Sequence, residues 1–415
     1  MPTAPHTDAG QELFRIPGDG TEHDWSQRYI TDPHALFAAL RERAPVHRVT
    51  LAGTPTWLVV RYADVRRLST DARLRHDPRH AGGAAARASW TFADQSYVVT
   101  GNMLRRDPPE HTRLRESVAR EFTGHRAAAL GPRIQQIIDD LIDAWPARGD
   151  IDLIADFAHQ LPMTVIADLL GVDSAHRAPF ARLAGAYVGT AEGDTGRVPQ
   201  TVARMRDELR DMIPTHGTAG ILGSLGGALD QDEVLAMAFL LLVAGYETTA
   251  SLIGNTVLAL LRHPDALTEL RTSPELVPAA IEECLRWDPP IKISPVPRFS
   301  VADIPIGDAV IPGDGQPVVF GYAAANRDPD FVDRPAEFDI HRPRRGGHFG
   351  FGHGVHRCLG AGLGQLEVQL AVETLLRRTA EMALAVEPRQ LDYVHSRFMR
   401  GVRTLPLSVA LRGAS

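Results

Sequence analysis

Two short stretches of this 415-residue chain hold side chains that could do chemistry. The first runs from Phe349 to Gly362, F-G-F-G-H-G-V-H-R-C-L-G-A-G, and contains Cys358, one of only two cysteines. Gly350, Gly352 and Gly354 let the backbone turn tightly and approach a flat ligand closely. The residues from Leu359 to Leu376 have helical spacing, which places the sulfur at a helix N-terminus. Free backbone N–H groups there stabilise a thiolate, the form of sulfur that ligates metal. A buried structural cysteine beside a turn is the alternative for a lone cysteine. The second stretch is A-G-Y-E-T-T, in which Gly245, Glu247, Thr248 and Thr249 interrupt an otherwise apolar helix. A mid-helix glycine costs about 1 kcal/mol against alanine, and a buried carboxylate costs more unless it is partnered. This is either a kinked core helix whose threonines bond back to carbonyls one turn earlier, or a notch for a small ligand and water. In the second case Glu247 and Thr248 form an acid–alcohol pair that supplies protons.

The elements that must position these groups follow from pattern. Asp230 with Glu233 makes a capping box and Pro264 ends the run, so a helix of about 33 residues, near 50 Å, carries A-G-Y-E-T-T across the protein. Residues 1–28 read as an irregular leader, and Asp32 to Arg43 as a capped helix. V-H-R-V-T-L and T-W-L-V-V read as a strand pair, and Tyr62 to Ser69 as a short helix. The segment from Asp77 to Thr100 is a long loop with Trp90, Phe92 and Tyr97, either a lid over a ligand or a surface excursion. In D-P-P-E-H-T-R-L-R, His111 and Arg115 share one helix face, while Arg113 points elsewhere. Gly131 to about Leu270 reads as a largely helical block. In I-E-E-C-L-R-W, Glu283 and Arg286 are spaced to pair on a helix, and Cys284 reads as a small buried residue. Short strands are expected between Asp288 and Phe320, and again from Met382 to Leu411.

The pattern F-G-x-G-x-H-x-C-x-G resembles the haem-binding loop of the cytochrome P450 superfamily, of the soluble bacterial type. Four motifs in the order of that family extend the resemblance over nearly the whole chain. It implies an α+β, mainly helical cytochrome P450 fold in one domain, 1–415, with a small β-rich region and haem b between the two parts. Cys358 is then the proximal iron ligand, with Phe351 and Gly360 beside the porphyrin. His111, Arg115, Arg298 and His356 hold its propionates. Ala244 and Gly245 border the oxygen-binding notch, with Glu247 and Thr248 as its acid–alcohol pair. Glu283, Arg286 and a later arginine, Arg342, make a buried structural cluster. I-P-G-D-G-Q-P-V has a couple of residues more than the family's usual strand turn. If Thr248 faces the haem, Leu240, Val243 and Ala244 form one wall of a substrate pocket. The strand near Ser294 and Val296 forms the far side, with Phe398 also in contact, and the loop with Trp90 and Phe92 forms the roof.

The implied activity is a haem-thiolate monooxygenase inserting one atom of O2 into a C–H bond, by hydroxylation or epoxidation. Its substrate is a bulky, mostly apolar small molecule, of the kind met in natural-product tailoring. The alternatives are peroxide-driven or radical-coupling chemistry at the same centre, or a haem-binding helper without turnover. The chain ends 57 residues after Cys358, so electrons are expected from a separate ferredoxin and its NAD(P)H-dependent reductase. A formal net charge of −7 argues against a nucleic-acid partner. No apolar run reaches about 18 residues, so no membrane anchor is expected. Two distant cysteines and the lack of a signal-like start fit the cytoplasm.

Overall fold

Asp230 starts the element around which the rest is packed. Its carboxylate accepts from the Glu233 N–H at 2.8 Å, the reciprocal half of the capping box is also made, and the helix runs unbroken from Gln231 to Arg262. In this computed structural model the described residues are 14–16, 25–51, 53–83, 97–172, 176, 179, 182, 198–212, 220–343 and 346–413. The N-terminal half of the central helix buries Leu235, Met237 and Leu241 against Ile166, Leu170, Met205 and Leu209. Its C-terminal half packs Ile253, Val257 and Leu260 with Ile134 and Ile138 of helix Gly131–Asp143 and Val368 and Leu375 of helix Ala361–Arg378. Each such fully buried side chain contributes about 1.5–3 kcal/mol. Of the described helices this one alone is long and apolar enough to cross a membrane, and 61% of its apolar window is buried inside the protein. Its apolarity is therefore used by the core.

The β-rich part is a six-stranded sheet whose neighbours run, in order, Phe14–Arg15 (β1), Val46–Leu51 (β2), Thr54–Val59 (β3), Pro317–Phe320 (β9), Arg298–Ser300 (β6) and Leu74–Arg75 (β4). Gly53, at φ 78°, turns β2 into β3 in the left-handed region that favours glycine. The sheet's faces bury Val49, Leu58, Val319, Val59, Val318 and Phe320. Ile304–Ile306 (β7) and Ala309–Ile311 (β8) form a separate hairpin. Its following turn, I-P-G-D-G-Q-P-V, docks on the chain before the aromatic loop: Gly82 N–H donates to the Gly315 carbonyl at 3.0 Å. A Cβ on Gly315 would lie 2.2 Å from the Gly82 nitrogen, so the approach requires glycine.

Three expectations need correction. Arg148–Asp152 (β5) is a strand inside the block read as helical, because it pairs with Pro406–Leu411 (β11), which also pairs with Thr379–Leu384 (β10). Residues 1–28 are not wholly irregular: β1 pairs with β2, helix Trp25–Thr31 follows, and Phe14 stacks on Tyr29 with centroids 4.6 Å apart. Ser294 and Val296 precede β6 in an irregular segment, not a strand. There the Ser294 hydroxyl accepts from the Phe320 N–H at 3.0 Å, replacing a strand ladder bond.

Candidate active site

Cys358 stands in a loop closed by its own backbone. Its N–H donates to the Phe351 carbonyl at 2.8 Å and the Arg357 N–H to the Gly354 carbonyl at 3.0 Å. Gly354 takes φ 82°, and a Cβ there would approach the Ser69 carbonyl oxygen to 2.8 Å. The following helix starts at Ala361 with Gly360 as its N-cap residue, not at Leu359. A side chain on Gly360 would meet nothing within 4 Å; this position contributes its backbone N–H, directed at Cys358. The sulfur is accessible because it faces a cavity of about 360 Å³ deep in the protein. Burial pushes its thiol up from the ordinary value, opposed by the Gly360 N–H and the Arg357 and Arg115 charges. An anionic sulfur there therefore calls for a positive partner from the cavity side.

The central helix crosses the same cavity and presents Leu240, Val243, Ala244, Gly245, Glu247 and Thr248 to it. Thr248 Oγ1 donates to the Ala244 carbonyl at 2.7 Å, the bond back along the helix, without interrupting it. With its hydrogen so committed, the hydroxyl retains acceptor capacity. A Cβ on Gly245 would touch Ile166 at 3.4 Å, so glycine here also keeps helix Gln160–Leu170 close. Burial raises the Glu247 carboxyl to about 7. His159 faces it, with Nε2 4.0 Å from Oε2 and a side chain 38% exposed. Glu247 thus holds a titrating proton between a half-exposed histidine and the cavity.

One edge of the cavity gathers His111, Arg115, Arg298 and His356. Both ring nitrogens of His111, Nε2 of His356 and Nη1 of Arg298 are buried without a hydrogen-bond partner. Buried polar groups cost about 1–3 kcal/mol each when left unpaired, and with the Arg298 guanidinium and an N–H on each imidazole the cluster calls for a ligand rich in acceptors. Arg115 commits one Nη2–H to the Arg357 carbonyl at 2.9 Å, tying the helix Glu110–Ala119 to the cysteine loop. Arg113 faces away and bonds Glu233. Phe351, Ser294, Val296 and Phe398 complete the lining named from sequence. Trp90 and Phe92 lie outside the described residues.

A sequence model of the Cytochrome P450 family matches residues 201–382. Vitamin D(3) 25-hydroxylase of Pseudonocardia autotrophica is 40% identical over 95% of this chain and 98% of its own length. The chain belongs to the cytochrome P450 family. A second P450 relative, monooxygenase PikC of Streptomyces venezuelae, is 39% identical over 92% of each chain. The tirandamycin C-bound P450 monooxygenase TamI superposes with a TM-score of 0.85 at 35% identity, covering 92% of this chain and 98% of that one. The protein is accordingly a P450 monooxygenase, and its cofactor is haem b.

The cavity suits that P450 cofactor on its own evidence. A free thiol faces it on one side, apolar side chains border it, and the unpartnered donors at one edge match two carboxylates. Away from the cavity, Arg286 bonds Glu283 through Nε at 2.8 Å and Nη2 at 2.7 Å, and Arg342 Nε joins at 3.0 Å. Residues that pattern did not single out also line the cavity: His76, Asn102, Met103, Arg397 and Glu367. No local periodicity marks them, because loops and a sheet edge bring them in; only Glu367, polar on a helix face otherwise apolar, carried a signal. Glu367 is 3% exposed, its Oε2 has no partner, and burial raises its carboxyl to about 8. The folded protein therefore holds this proton more tightly than the unfolded chain, and stability falls as pH rises from the unfolded carboxyl range to about 8. Glu367→Gln should flatten that fall by up to about 1.4 kcal/mol per pH unit. Denaturant melts of parent and variant at a series of pH values check this; parallel curves would show that Glu367 is ionised in the fold.

Proposed function

We propose that this P450 hydroxylates or epoxidises a bulky, mostly apolar small molecule in natural-product tailoring, drawing electrons from a ferredoxin and its NAD(P)H-dependent reductase. It does so as a single domain, in the cytoplasm. The supporting observation is the convergence of Cys358, the Glu247–Thr248 pair and the unpartnered donor edge on one cavity. Bound there, haem b would supply O2 binding and activation at a thiolate-ligated iron. Cys358 ligates the metal. His111, Arg115, Arg298 and His356 hold the propionates, with Phe351, Gly360, Ala244 and Gly245 against the macrocycle. Leu240, Val243, Val296 and Phe398 make an apolar wall that excludes water and orients substrate by shape. The hydroxylase names of the relatives and the tirandamycin C held by a solved neighbour support a free small molecule as substrate.

Glu247 takes protons from the His159 side and holds them at the notch, where the Thr248 oxygen, free to accept, orients the water that would carry them onward. Because burial raises its carboxyl to about 7, it can both accept and release a proton at neutral pH. The test is NADPH and O2 consumption, with product and peroxide counted, using a surrogate ferredoxin system and ligands chosen by their spin-state shift. Thr248→Ala should keep haem and substrate binding yet divert most electrons to hydrogen peroxide. Glu247→Gln should slow turnover by about a hundredfold and abolish the decline in rate as pH rises above the Glu247 range. Normal coupling in Thr248→Ala would sink the acid–alcohol reading. Oxidation that proceeds with peroxide but never with ferredoxin and O2 would replace the monooxygenase route by a peroxide-driven one.

A further inference from the structure

The donor edge contains one more imidazole, His76, placed there by strand register. β4 and β6 are antiparallel, with Leu74 opposite Ser300 and Arg75 opposite Phe299, so the next position sets His76 opposite Arg298. Arg298 Nε donates to His76 Nε2 at 2.9 Å. The same guanidinium lies over the Phe320 ring, 4.2 Å from its centroid. With Nε tied and its plane pinned, the group has one orientation, and its unpartnered Nη1 belongs to the cavity edge. His76 is held in turn. The Asp107 carboxylate accepts from the N–H groups of His76 at 3.0 Å and Asp77 at 3.1 Å. Its ring stacks on His356 with centroids 3.6 Å apart. Burial, and after it the neighbouring Arg298 guanidinium, keeps the imidazole neutral, the form in which Nε2 can accept.

We infer that His76 is a positioning residue for the haem carboxylates: held in place by its stack on His356, it accepts from Arg298 Nε, so that the remaining donors of Arg298 are aimed before the ligand arrives. A free arginine side chain loses many rotamers when a ligand fixes it, and fixing it in advance removes that entropic cost from binding. The inference rests on the reading of Arg298 as a propionate ligand, and the experiment separates the two. Haem release from the holoenzyme to excess apomyoglobin is measured for His76→Phe, His76→Gln, Arg298→Gln and the double variant His76→Phe/Arg298→Gln. Resonance Raman spectra report the propionate bending band of each.

Arg298→Gln and His76→Phe should each speed release by about tenfold, and the double variant should release no faster than Arg298→Gln alone. His76→Gln, whose amide oxygen can accept from Arg298, should stay near the parent in rate and in the Raman band. Parent-like release in His76→Phe, with Arg298→Gln accelerated, overturns the role of His76. Additive acceleration in the double variant also overturns it, since His76 would then act independently of Arg298. Unchanged release in Arg298→Gln overturns the underlying reading of that arginine, and the inference with it. Should His76→Phe give no holoenzyme, His76→Leu enters the same cycle with the same deciding outcomes.

Discussion

Cys358→His should move the ferrous–CO band from the long-wavelength position of thiolate-ligated haem to the imidazole position, and O2-dependent substrate oxidation should be lost completely. The expectation follows from the charge and softness of the ligand. A thiolate donates electron density to iron and favours O–O cleavage, which a neutral imidazole does far less. The other cysteine cannot take over. Cys284 lies buried in the helix Val277–Trp287, and desolvation pushes its thiol up to about 12. Difference spectra of the reduced, CO-treated variant decide the matter: a band identical to the parent's would remove Cys358 from the metal.

Glu283→Ala should cost the fold about 3–5 kcal/mol, the range for removing one partner of a buried ion pair. Glu283 accepts from Arg286 Nε and Nη2 at 2.8 and 2.7 Å, from Arg342 Nε at 3.0 Å and from the Asp339 N–H at 2.9 Å. Arg286 also donates to the carbonyls of Pro335 and Glu337 at 2.9 Å, pinning the meander that leads to the cysteine loop. The alanine variant leaves two guanidinium charges and a backbone N–H without their acceptor. Such a loss is a large share of the roughly 5–15 kcal/mol that holds a domain together. Denaturant melts should show a much lower midpoint and poor haem retention. Glu381→Ala is the control: its pair with Arg148 is 66% and 71% exposed, and surface pairs contribute about 0–1 kcal/mol. If both variants melt alike, the buried cluster does not stabilise the fold.

The groups legible in the sequence are those whose partners lie nearby along the chain or whose residue type admits few uses. Three glycines and a cysteine within nine residues announce a tight loop around one sulfur. A capping residue, a long apolar run and a terminal proline announce the central helix, whose observed span is Gln231–Arg262. Glu283 and Arg286 are three apart, so helical geometry alone makes them neighbours. The family pattern linked these pieces and supplied the fold that brings them together.

What only the tertiary structure decided depends on contacts between distant parts of the chain. β5 is a strand because β11, more than 250 residues later, offers it a ladder; its own composition sits among helices and says nothing of that partner. His76 belongs to the donor edge because β4 pairs with β6, a register that no local period encodes. The raised carboxyl of Glu247 likewise comes from what surrounds it, since the residue type is the same in water. Local pattern specifies which groups a segment carries and which face they share. Burial, charge state and orientation are properties of the whole packing, and they arise only when segments far apart in sequence close around one cavity.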